Sequence, residues 1–113
     1  MPFINMKTTA ELDATKKEIL TKELTEICKS CLGKGENWVM IGFEDGVSLS
    51  FQGSTEKIVY VEVKAYGTPA VAGADKMTAE ICKIVEKELK IPANRVYVSY
   101  WGTNQWGWNG GNF

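Results

Sequence analysis

Histidine is absent from this chain, arginine occurs once, at position 95, and cysteine only three times in 113 residues. Without imidazole there can be no Ser-His-Asp or Cys-His relay, and the usual zinc ligand sets are out of reach. Acid–base chemistry is left to amines, carboxylates and phenols. Charge of neither sign dominates: 13 Lys and Arg oppose 14 Asp and Glu, for a net −1. That balance disfavours an electrostatic grip on nucleic acid. No apolar run approaches the roughly 20 residues that span a bilayer, so no membrane association is expected. The N-terminus shows no basic n-region followed by an apolar h-region, and a cytoplasmic protein is the expectation. At 44% hydrophobic and 24% charged residues, the chain reads as one globular domain, residues 1–113, with a real core.

What is present begins at Met1-Pro2-Phe3. A small second residue normally lets the initiator methionine be trimmed, which would leave Pro2 with a secondary amine. An α-amino group ordinarily titrates at about 7.7–8.0, and apolar surroundings pull that value down. Such an amine suits a general base near neutral pH. From its position alone Pro2 is equally an ordinary second residue.

Phe3 to about Thr9 is extended, and Asp13 is a candidate N-cap. A helix should run from there to Gly33, its stripe formed by Leu20, Leu24, Ile27, Cys28 and Cys31. Asn37–Phe43 alternates as a strand, Glu44-Asp45-Gly46 turns, Val47–Phe51 is a short strand, and Gln52-Gly53-Ser54 turns again. Ile58–Tyr66 alternates with Val59, Val61, Val63 and Ala65 on one face. A second helix follows, with Met77, Ile81, Ile84, Val85 and Leu89 as its stripe, closed by Pro92 before a strand from Arg95 to Trp101.

The halves repeat at an offset of 57: Leu20 matches Met77, Leu24 Ile81, Ile27 Ile84, Leu32 Leu89 and Phe3 Tyr60. Residues 2–56 and 57–113 thus read as tandem βαβ units, giving an α+β fold with a four-stranded mixed sheet and both helices on one face. The other face carries Tyr60, Lys64, Tyr66, Arg95, Tyr97 and Ser99. Either solvent or another copy of the chain covers it, and its aromatic content favours the copy.

Five stretches carry a resemblance over essentially the whole chain: Met1-Pro2-Phe3-Ile4, Leu32-Gly33-Lys34, Phe51-Gln52-Gly53-Ser54-Thr55-Glu56, Arg95-Val96-Tyr97-Val98 and Trp106-Gly107-Trp108-Asn109-Gly110. Their order and spacing resemble the macrophage migration inhibitory factor family of the tautomerase superfamily. The resemblance implies a homotrimer with inward-facing sheets and active sites between subunits, needing no cofactor or metal. It implies Pro2 as the catalytic base, Lys34 holding a substrate carboxylate, and Tyr97 reaching the site from the adjacent subunit. Phe3, Tyr66, Trp106, Trp108 and Phe113 fall where the family has its apolar pocket wall. Read without it, Lys34 is a cation at a helix C-terminus, and Trp108 and Phe113 equally fill a subunit contact.

Ser99 stands where the cytokine branch has an asparagine, and Tyr66 where it has an aliphatic residue. That branch's Cys-x-x-Cys cysteines fall on Ile58 and Val61. Cys28-Lys29-Ser30-Cys31 closes a helix, whereas a redox pair belongs at a helix N-terminus, so both cysteines are assigned to the core. A lone arginine is too few for the dehalogenase branch. The implied activity is keto–enol tautomerisation of a phenylpyruvate-like aryl 2-keto acid, with dopachrome-type substrates also in range. The alternative is a cytokine-like protein, exported without a leader, that binds a receptor and keeps the pocket as a relic. A third reading, a thiol oxidoreductase, rests on Cys28 and Cys31 alone.

Overall fold

The computed structural model describes residues 1–113. Strand β1 (Pro2–Thr8) buries alternate residues, Pro2, Ile4, Met6 and Thr8, as a half-covered strand must. Helix α1 (Ala14–Leu32) starts where Asp13 accepts the Lys16 N–H at 2.7 Å. It ends where Gly33, at φ 67°, donates to the Lys29 carbonyl, a left-handed closure that favours glycine. Leu20, Leu24, Ile27 and Cys28 are buried, whereas Cys31 is only half-buried. Strand β2 (Met40–Glu44) pairs parallel to β1. Strand β3 (Val59–Tyr66) lies antiparallel to β1 and buries Val59, Val61, Val63 and Ala65. Helix α2 (Val71–Leu89) buries Met77, Ile81, Ile84 and Val85, and strand β4 (Val96–Thr103) pairs parallel to β3.

The sheet order is β2-β1-β3-β4. Both helices are 19 residues long, and each bound of α2 lies 57 positions beyond that of α1. Ile4, Met6, Val59, Val61 and Val63 meet Leu20, Leu24, Met77, Ile81 and Val85 in one fully buried core. Gly73 of α2 passes so near the Cys31 carbonyl that a Cβ there would collide, which lets the helices approach.

Four local expectations are corrected. The strand expected from Asn37 begins at Met40, because Glu36–Trp38 is a turn in which the Trp38 N–H donates to Gly35 at 3.1 Å. Val47–Phe51 forms no strand. The Val47 N–H donates instead to Thr8 at the end of β1, the preceding Gly46 N–H donates to Ala10, and only an isolated Phe51–Ser54 bridge follows. Helix α2 is closed by Lys90 at φ 59° before Pro92 is reached. Arg95 is not on the open sheet face: it ends a 3₁₀ turn (Ala93–Arg95), is buried, and folds under the loop after Phe51. A C-terminal hairpin of β5 (Gly107–Trp108) and β6 (Gly111–Asn112), which periodicity does not announce, adds to these elements. Asn109 and Gly110 both have positive φ at its tip, as a type I′ turn requires.

Candidate active site

Pro2, the first residue of β1, is buried and pairs with Ala65 of β3, while the carbonyl of Met1 accepts the Tyr66 N–H at 3.1 Å. The terminal amine, carried here by Met1, is pushed below its ordinary value of 8.0, chiefly by burial and next by the positive charge of Lys34. Cys28 would act in the opposite direction as a thiolate. Its own thiol is pushed up to about 11 by burial, so it stays neutral near pH 7 and does not offset Lys34.

Lys34 follows the left-handed Gly33 and reaches a cleft of about 270 Å³ lined also by Cys31, Leu32, Ala65, Tyr66 and the Gly67–Ala70 loop. No carboxylate of the chain pairs with its ammonium. A cation without a partner beside an apolar wall is suited to an anionic ligand. A wider hollow of about 420 Å³, lined by Thr9, Val47, Ser48, Leu49, Ser50 and Thr55, carries no charged side chain.

Four aromatics are linked ring to ring at the end of the sheet that carries Tyr66. Tyr66 lies 5.5 Å from Phe113, Phe113 stacks on Trp108 at 6.5 Å, and Trp108 meets Trp38 edge-on at 5.0 Å. Alternation assigns Trp38 to a strand and does not mark it as a site residue. The signal available was its place beside the Gly33 and Gly35 punctuation that follows the helix. Trp106 contributes through its backbone, its carbonyl accepting the Phe113 N–H at 3.1 Å. Phe3 points to the face opposite Pro2, where its ring covers Gly42.

Tyr97 and Ser99 are elsewhere. Tyr97 pairs with Tyr60, five positions along β3 from the Ala65 that pairs with Pro2. At about 3.3–3.4 Å per residue that is roughly 17 Å, and the two side chains leave opposite faces of the sheet. Tyr97 is 62% exposed, with its ring 4.9 Å from Phe51. The Ser99 hydroxyl is already engaged with the Tyr60 phenol at 2.7 Å. One copy of the chain therefore brings Pro2, Lys34, Tyr66, Trp108 and Phe113 to one end but leaves Tyr97 and Ser99 facing away. Cys28, Cys31 and Cys82 are free thiols, and no cluster of acidic or cysteine side chains is placed to hold a metal ion.

The profile of the family described as "Macrophage migration inhibitory factor (MIF)" matches residues 1–113. The chain is 30% identical to the macrophage migration inhibitory factor of Xenopus laevis, over 100% of this chain and 99% of that protein. Among solved structures it is similar to Leishmania major MIF2, with 42% identity, a TM-score of 0.95 and coverage of 100% and 97% of the two chains. The homologue from Prochlorococcus marinus gives 34%, a TM-score of 0.89 and coverage of 98% of each chain.

Proposed function

Since the chain belongs to the macrophage migration inhibitory factor family, we propose that it is a cofactor-free keto–enol tautomerase of phenylpyruvate-like aryl 2-keto acids. The observation that carries this reading is geometric: buried Pro2 pairs with Ala65, which with Lys34 lines a cleft rimmed by aromatics, and burial and Lys34 already hold the adjacent Met1 amine below its ordinary pKa. With Met1 removed, the neutral Pro2 amine takes a proton from the carbon next to the keto group. The C–H electron pair becomes the new C=C bond, the carbonyl pair moves to oxygen, and the ammonium of Pro2 returns its proton to complete the isomerisation. Lys34 holds the carboxylate, and Tyr66, Trp108 and Phe113 face the aryl ring.

Tyr97 of a neighbouring copy supplies the hydrogen bond to the enolate oxygen, a reading supported by the separation of Pro2 and Tyr97 within one chain. The proposed enzyme is therefore a homotrimer of one-domain subunits with shared sites, acting in the cytoplasm. Trimers mixed from Pro2→Gly and Tyr97→Phe chains should turn over phenylpyruvate faster than either parent trimer. No gain on mixing would refute the shared site. A second reading, a receptor-binding cytokine exported without a leader, is favoured by the exposure of Trp38, Trp108 and Phe113. Full receptor binding by a Pro2→Gly trimer would support it.

A further inference from the structure

The chain's single arginine is one of only two polar residues in its interior, the other being Thr8. Burying a cation is costly unless its donors are satisfied, and here no carboxylate does so. The Arg95 guanidinium instead donates to four carbonyls of one loop: Phe51 at 2.8 Å, Glu56 at 2.8 Å, Ser54 at 3.3 Å and Lys57 at 3.4 Å. A planar fork with five N–H groups can do this, and an ammonium cannot. The loop has little else to hold it. Its own bonds are the Phe51–Ser54 bridge around Gln52 and Gly53, both at positive φ, and the Glu56 N–H donating to the Ser54 hydroxyl at 3.1 Å.

The same guanidinium lies 5.4 Å from the centre of the Phe51 ring, and that ring meets Tyr97 edge-on at 4.9 Å. Tyr97 is otherwise exposed and makes no side-chain hydrogen bond within the chain. Its direction is therefore set by Phe51, and that of Phe51 by Arg95. Resting on the tautomerase reading above, we infer that Arg95 is a positioning residue, which through Phe51 aims the Tyr97 phenol at the enolate oxygen in a neighbouring copy's pocket. Arg95 touches no substrate. Its positive charge also stays too well enclosed by carbonyls to serve as an anion site.

Two variants separate aiming from simple stapling of the loop. Arg95→Lys keeps the charge and loses the fork. Phe51→Leu keeps every carbonyl that Arg95 uses and loses the ring. Each should lower kcat for phenylpyruvate about two- to tenfold, the worth of one aromatic pair, with KM nearly unchanged because Lys34 still holds the carboxylate. In a Tyr97→Phe background neither should lower kcat further. If Phe51→Leu leaves kcat intact, or if the losses multiply with that of Tyr97→Phe, Arg95 only staples the loop and the inference is overturned.

A readout without turnover keeps the two readings apart. The ring protons of Tyr97, shifted by the Phe51 ring, should move toward free-tyrosine values in both variants while the Ile4 and Ile81 methyl signals stay put. Should wild-type protein prove inactive on keto acids, the tautomerase reading fails and these shifts alone decide. Unmoved Tyr97 signals in both variants would refute the coupling.

Discussion

With Met1 retained, its carbonyl accepts the Tyr66 N–H at 3.1 Å and lengthens the β1–β3 ladder by one bond. Trimming Met1 removes that acceptor. A backbone hydrogen bond at a strand end, where water can replace it, is worth about 0.5–1.5 kcal/mol net, so the trimmed protein should be the less stable form, with a Tm a few degrees lower at equal subunit concentration. Activity should move the other way. In the untrimmed chain the Pro2 nitrogen is a tertiary amide whose lone pair is delocalised, and rates should fall by roughly 10²–10⁴-fold, the contribution of a positioned base. Both forms, verified by intact mass, should be assayed on phenylpyruvate and melted in parallel. Equal rates would remove Pro2 as the base. A trimmed form at least as stable as the untrimmed one would show that the Met1–Tyr66 bond contributes nothing. In the untrimmed form the amine has a lowered pKa, so the unfolded chain binds the proton more tightly. Its stability should rise with pH up to about 8.0, the ordinary value, and level off above it.

Lys34→Ala should raise KM for aryl keto acids more than it lowers kcat, the signature of the carboxylate-positioning role proposed for its ammonium; an unchanged KM in steady-state assays would contradict that role. Cys28, with its thiol near pKa 11, should resist alkylation at pH 8 while the half-buried Cys31 reacts first, as peptide mapping of labelled protein would show. The Asp45 carboxyl is held below its ordinary value of 3.8 by the Leu12 N–H first and by Lys17 second. The stabilisation it provides is complete above that value and disappears as pH falls through the lowered one. Asp45→Asn should therefore flatten the acid limb of an unfolding titration.

The helix stripes and β3 were legible because burial repeats there at 3.6 or 2 residues, and both elements pack against one core. Val47–Phe51 also alternates between half-buried and exposed residues, but alternation names a face and not a partner strand. Counting by twos from Tyr97 misplaces Arg95 because it ignores the 3₁₀ turn that precedes β4. Its buried role depends on carbonyls some forty positions earlier, which no local pattern reveals. Period-two counting also places Phe3 opposite Pro2, a consequence readable from two adjacent letters. The Asn109-Gly110 turn was likewise readable, but its strands of two residues each were too short to show alternation.

A chain whose only guanidinium is interior carries a one-site clock for the opening of a single loop. Dicarbonyl reagents that modify arginine find no second guanidinium in this protein. Their rate on the native fold should therefore report how often the Phe51–Lys57 segment lifts from Arg95, undisturbed by motion elsewhere. Fourteen acidic side chains would be a crowd to follow by chemistry; one sheltered arginine is a single count. If assembly presses a neighbouring copy against this loop, diluting the protein should speed the clock, and a rate independent of concentration would place the loop outside the subunit contact.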